Sequence, residues 1–79
     1  MKTVVKYKNR KMYDKETSKY ISIVELANLP LGSFKVERHG TGEDITTDTL
    51  FTALSSEGVG SETKVQVMKH CITELEVTQ

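Results

Sequence analysis

A small α+β fold is what this sequence predicts: three to four short strands in an antiparallel hairpin or sheet, with two to three short helices packed on one side. Three observations predict it. Asp14-Lys15-Glu16-Thr17-Ser18 is turn chemistry set between two β-compatible flanks, Lys11-Met12-Tyr13 and Lys19-Tyr20-Ile21. Asp there hydrogen-bonds the backbone two residues on, and Ser or Thr does so more weakly, so the segment reads as a hairpin. Ser22 with Glu25 three residues later has the form of a capping box, which opens a helix. Ser33-Phe34-Lys35-Val36-Glu37-Arg38 alternates apolar and polar side chains, the period of a half-buried strand with Phe34 and Val36 inward.

Taken in order, Thr3–Lys8 is a first strand, because β-branched residues and an aromatic fill a run without a breaker. Asn9-Arg10 marks a bend or bulge. In the hairpin, alternation buries Met12 and Ile21 and leaves neighbouring Lys, Arg and Tyr side chains in water. The helix after Ser22 carries Ile23, Leu26 and Ala27 on one face and is ended by Pro30 and Gly32. Gly40-Thr41-Gly42-Glu43-Asp44 is a reversal whose two glycines permit positive φ. Thr46 or Thr47 is expected to cap a second helix, with Leu50, Phe51 and Leu54 as its apolar face. Beyond the flexible Ser55–Ser61 break, Val65, Met68, Ile72 and Leu75 recur at heptad-like intervals, which favours a helix from about Ser61 to Glu76. The alternation of Val65-Gln66-Val67 keeps a strand open there. If helical, that stripe either covers the sheet or pairs with its copy in a second subunit. Residues 1–57 then form the main domain and 58–79 a covering or oligomerisation element.

Val, Ile, Leu and Phe make up about a quarter of the 79 residues, above the range that suggests disorder. A chain this short gains little from one core, so self-association as a dimer or tetramer is expected. No apolar run spans a bilayer and the N-terminus lacks a secretory pattern, which points to the cytoplasm and away from membranes. Cys71 stands alone and is expected to act as a small buried apolar group. The zero net charge hides a segregation. Residues 1–20 carry Lys2, Lys6, Lys8, Arg10, Lys11, Lys15 and Lys19 against Asp14 and Glu16, whereas the remaining charge is mostly acidic. One face offered to a polyanion is the physical reading, and lysines guarding a strand edge are the plain alternative.

The basic, tyrosine-bearing run KYKNRKMYDKETSKYISI, Lys6 to Ile23, resembles the start of the DNA-binding domain of the polyhydroxyalkanoate accumulation regulators, a family of bacterial transcriptional repressors. Phe34-Lys35-Val36 and Thr41–Thr46 resemble that domain's second block in register, so the likeness covers about residues 4–54. Lys8 replaces the family's usual proline, and Glu37-Arg38-His39-Gly40 departs from a more apolar stretch. The resemblance implies a repressor-like transcriptional regulator acting on double-stranded DNA. The candidate DNA-binding residues are Lys6, Tyr7, Lys8, Asn9, Arg10, Lys11, Tyr13, Lys19 and Tyr20, with Asn9 and Arg10 placed to read base edges and the lysines to meet phosphates. The candidate oligomerisation residues are Val65, Met68, Ile72 and Leu75.

Catalysis is not expected. His39 and His70 have no partner at metal-ligand spacing, Glu43-Asp44 point apart as neighbours do, and the GxG at Gly40–Gly42 lacks the rest of a phosphate loop. No cofactor and no metal are expected. A phage- or plasmid-type module that engages a host protein on the same scaffold is the alternative function, favoured by the acidic remainder of the chain. A helix-turn-helix over Thr47–Leu54 and Ser61–Ile72 is disfavoured, because Glu62 and Glu74 would face the groove.

Overall fold

In a computed structural model, residues 1–77 are described, with side-chain surroundings through Glu74. Strands β1 (Lys2–Lys6), β2 (Met12–Asp14) and β3 (Lys19–Ile21) lead into helix α1 (Ile23–Ala27). Strand β4 (Phe34–Arg38) and helices α2 (Thr46–Ala53) and α3 (Ser61–Val77) follow. The sheet order is β3-β2-β1-β4. The α+β class holds, with one difference from the expected antiparallel sheet: β4 lies parallel to β1, aligning Val4 with Val36 and Lys6 with Arg38. Local turn chemistry sets hairpins, but it does not determine which strand a distant segment joins.

Register assigns the faces. Val5 pairs with Tyr13 and Tyr13 with Tyr20, while Lys6 pairs with Met12 and Met12 with Ile21. Side chains alternate across a strand, so Val4, Met12, Phe34 and Val36 share the face that meets the helices. There they form one core with Leu26, Leu50, Ala53, Val67 and Cys71. Burying each large aliphatic side chain is worth about 1.5–3 kcal/mol. The other face has no helix over it.

The capping box forms as expected: the Ser22 hydroxyl accepts from the Glu25 amide at 3.1 Å, and the Glu25 carboxylate accepts from the Ser22 amide at 3.4 Å. Helix α2 departs from expectation. Its N-cap is Ile45, which makes no side-chain cap bond. The Thr46 hydroxyl instead accepts from the Val36 amide at 2.8 Å and donates to Asp44 at 2.6 Å, tying the helix to β4. The inward residues of α2 are Thr49, Leu50 and Ala53. Phe51 turns outward at 43% exposure, because one residue past Leu50 is a large rotation around the helix.

The C-terminal segment is a helix, and the strand alternative falls. It covers the core with Val67 and Cys71, not with the expected stripe. Val65, Met68 and Ile72 are 46%, 48% and 50% exposed; the side chain of Leu75 lies outside the described residues. Apolar positions span more of this helix than the body covers. Burial first, then the nearby Glu74 charge, pushes the Cys71 thiol up, so it stays a protonated packing group. Among the described residues, no helix is long and apolar enough to cross a membrane.

Gly58 sits against α1. A Cβ there would lie 2.7 Å from Val24 Cγ2, and β-branched valine has little rotamer freedom to yield. Gly58→Ala is expected to destabilise the fold by about 1–3 kcal/mol, read as a lower urea midpoint with unchanged slope.

Candidate nucleic-acid interface

The turn between β1 and β2 organises the basic end of the molecule. The Tyr7 amide donates to the Lys11 carbonyl at 2.9 Å and the Arg10 amide to the Tyr7 carbonyl at 3.0 Å, leaving a three-residue loop, Lys8-Asn9-Arg10. Arg10 adopts φ 70°. Loops of this kind ordinarily place glycine at that position, since a Cβ in the left-handed region costs about 1–2 kcal/mol. The Asn9 carboxamide oxygen accepts from the Lys11 amide at 3.1 Å. Asn9 therefore holds the loop's shape, and Arg10 is the side chain presented at its tip.

Two grooves flank this loop on the helical side. One, of about 440 Å³, is lined by Lys6, Lys8, Arg10, Arg38 and His39, with Asp48 on the α2 wall. The other, of about 600 Å³, has Lys6, Arg10 and Lys11 on its rim and Met12, Ile21 and Ile23 on its floor. Thr49 lines both, and its buried hydroxyl has no hydrogen-bond partner. Arg38 and His39 were not among the expected site residues. Parallel pairing of β4 brings them beside Lys6, and the His39 amide donates to the Lys6 carbonyl at 2.9 Å. Their only sequence signal was two basic residues closing an alternating strand. Arg38 is partly neutralised, its Nε lying 3.0 Å from Glu43.

The first twenty residues' cations do not form one patch. Lys6, Lys8, Arg10 and Lys11 gather at the loop, whereas Lys15 and Lys19 lie at the other end of β2, near Asp14. Lys2 is taken up by Asp14, with Nζ 2.8 Å from Oδ2. The tyrosines lie toward the face without helices, with Tyr7 also lining the first groove and Tyr20 the second. Tyr13 and Tyr20 meet edge to face at 5.5 Å, Tyr7 packs on His39 at 4.5 Å, and the Lys11 ammonium lies 5.6 Å from the Tyr20 ring centre. Of the nine expected DNA-binding residues, the loop end collects Lys6, Lys8, Asn9, Arg10 and Lys11, with Tyr7 and Tyr20 on the walls of its grooves; Tyr13 lies on the helix-free face, and Lys19 stands apart.

Asp14 holds the hairpin that carries these rings. Its buried carboxylate accepts from Lys2 Nζ and from the amides of Glu16 at 2.9 Å and Thr17 at 3.3 Å. Burial alone would push its carboxyl up, but the Lys2 hydrogen bond and the two amides outweigh it and hold the group below its ordinary range. Ser18 closes the turn at φ 58°.

A basic loop and an open, tyrosine-bearing sheet face on a small α+β scaffold make this end of the molecule a candidate nucleic-acid interface. The sequence matches the PHB/PHA accumulation regulator DNA-binding domain over residues 3–61. The chain belongs to that family. It is 38% identical over 61 residues to an uncharacterized protein in the phbA 5′ region of Thiocystis violacea, covering 75% of this chain and 44% of that protein. The chain thus spans less than half the length of that relative. No solved structure matches it significantly.

Replacing Asp14 tests the hairpin. Because its folded carboxyl titrates below the unfolded one, its contribution is fully present above the unfolded pKa of about 3.9 and is lost as pH falls through the folded value. Asp14→Asn is expected to cost about 2 kcal/mol at neutral pH, with the difference from the parent shrinking below about pH 4. Urea denaturation across pH checks both.

Proposed function

We propose that this chain is a non-catalytic DNA-binding module of a repressor-like transcriptional regulator, docking the Tyr7–Lys11 loop end onto double-stranded DNA. The observation that carries the reading is Arg10. A cationic side chain stands at a loop tip where the backbone favours glycine, inside the segment that matches the family. Strain kept at an exposed tip is accounted for if the guanidinium is used, and arginine suits bidentate contact with guanine. Lys6, Lys8 and Lys11 supply phosphate contacts on either side, which position the loop without reading sequence. Asn9 acts chiefly through the loop's shape.

The family's description and the relative's place in the phbA 5′ region support control of genes for polyhydroxyalkanoate accumulation. Action as a dimer or tetramer is part of the reading. The outward Val65, Met68 and Ile72 support it, and linked sites would strengthen a modest contact through effective concentration. A host-protein partner on the same outward stripe is the second reading, and pull-down with and without nuclease separates the two.

Arg10→Gly is the sharpest test, because it removes the side chain and relieves the backbone together. Stability is expected to stay level or rise by up to about 1 kcal/mol, while affinity for duplexes selected from a random pool falls by about 1–3 kcal/mol. Ser18→Gly relieves the other left-handed residue and is expected to leave duplex binding intact. The four loop cations predict a log-affinity against log-salt slope of about −3 to −4 per chain. Mobility shifts with unchanged affinity in Arg10→Gly, or binding insensitive to salt, would place the duplex site elsewhere.

A further inference from the structure

Among the described residues the helices pack on the core face of the sheet, and no helix residue lines the depression on the other face. The register sets a row across that face: Glu37 on β4, Val5 on β1, Tyr13 on β2 and Tyr20 on β3. The Tyr7–His39 pair lies along the next row, about 7 Å further along the strands. Tyr20 is 65% exposed. A depression of about 360 Å³ beside Tyr7 is lined by Val5, Lys15, Glu37 and His39. Lys11 stands over the Tyr20 ring at one end of this face, and Lys15 reaches it from the other.

We propose that this open face is a stacking platform for the unpaired bases of single-stranded DNA. Rings on an open sheet face find nothing to stack on in a duplex, whose base faces are hidden and whose grooves present only edges. An unpaired strand offers ring faces and a phosphate chain together, which matches tyrosines interleaved with lysines. The exposed Tyr20 ring and the Tyr7–His39 pair one row on give an extended strand two stacking points. An apolar protein partner fits the face poorly, since its one aliphatic residue in the row, Val5, is already 7% exposed beneath its neighbours. The carboxylate on the face, Glu37, is engaged by Lys35 at 3.1 Å. That contact partly offsets its repulsion of phosphate, and the match to a DNA-binding family favours DNA over RNA.

The proposal extends the nucleic-acid reading and shares Tyr7 and Lys11 with it, but each is tested at a residue the other does not use, Tyr20 here and Arg10 there, so the two fail separately. The chain has three tyrosines and no tryptophan, so stacking is read directly from tyrosine emission. A dT oligomer of about ten nucleotides is expected to quench that emission on titration. By anisotropy of the labelled oligomer, Tyr20→Ala is expected to weaken binding about tenfold, and Tyr20→Phe, which keeps the ring, to restore it. Both variants alter an exposed side chain, and unchanged circular dichroism verifies their folds. Arg10→Gly should lose duplex affinity while dT affinity stays within about threefold, the loss of one phosphate contact at moderate salt. Absence of quenching, or parental affinity in Tyr20→Ala, would overturn the platform. An rU oligomer that binds as tightly as dT would overturn its assignment to DNA.

Discussion

The parallel pairing of β1 with β4 is the constraint from which the rest of this molecule follows. It puts β1 at the centre of the sheet, where Val4 is wholly buried, and it makes a neighbour of a segment thirty residues away. Without it the basic loop would stand on a three-stranded meander with β1 at its edge and without Phe34 and Val36 in its core. With it, the loop end of the sheet gains Arg38 and His39, and the core gains Phe34 and Val36. The long connection between the paired strands holds β2, β3 and α1, all within the residues that match the family.

The two faces of the sheet then take separate work. The inner face spends its alternate side chains on the core, and its ends carry Lys6 and Arg38 toward the grooves beside α2. The outer face holds the tyrosines in cross-strand contact, where the register of a few residues places every ring. Asp14 matters to both, since it fixes the turn that joins β2 to β3 and binds the start of β1 through Lys2. Its carboxylate is a local device with a consequence across the whole ribbon.

What the sequence made legible was local. The Asp14–Ser18 turn, the Ser22–Glu25 box, and the inward Met12, Phe34 and Val36 follow from short-range hydrogen bonding and period-two alternation, and each is found. Long-range choices were not legible. Nothing near Phe34 says that its strand runs parallel to β1, so Arg38 and His39 escaped notice. On α3 two overlapping apolar stripes compete, and only packing selects Val67 and Cys71 over Val65, Met68 and Ile72. Phe51 was read inward on hydrophobicity, whereas Thr49 takes that position and leaves its hydroxyl unpartnered. Arg10 gave no warning of its left-handed backbone, because the residue that usually marks such a site is absent.

The stitch between β4 and the start of α2 reaches beyond helix placement. Along the outer side of β4, the Ile45 amide donates to the Val36 carbonyl, Thr46 takes the Val36 amide, and the Arg38 amide donates to Glu43. That margin is therefore occupied by the protein's own backbone and cannot template another chain. Among the described strands, growth by strand addition is left with the short Lys19–Ile21 margin. A sheet with one open margin can add one strand there and has no second margin from which pairing could continue.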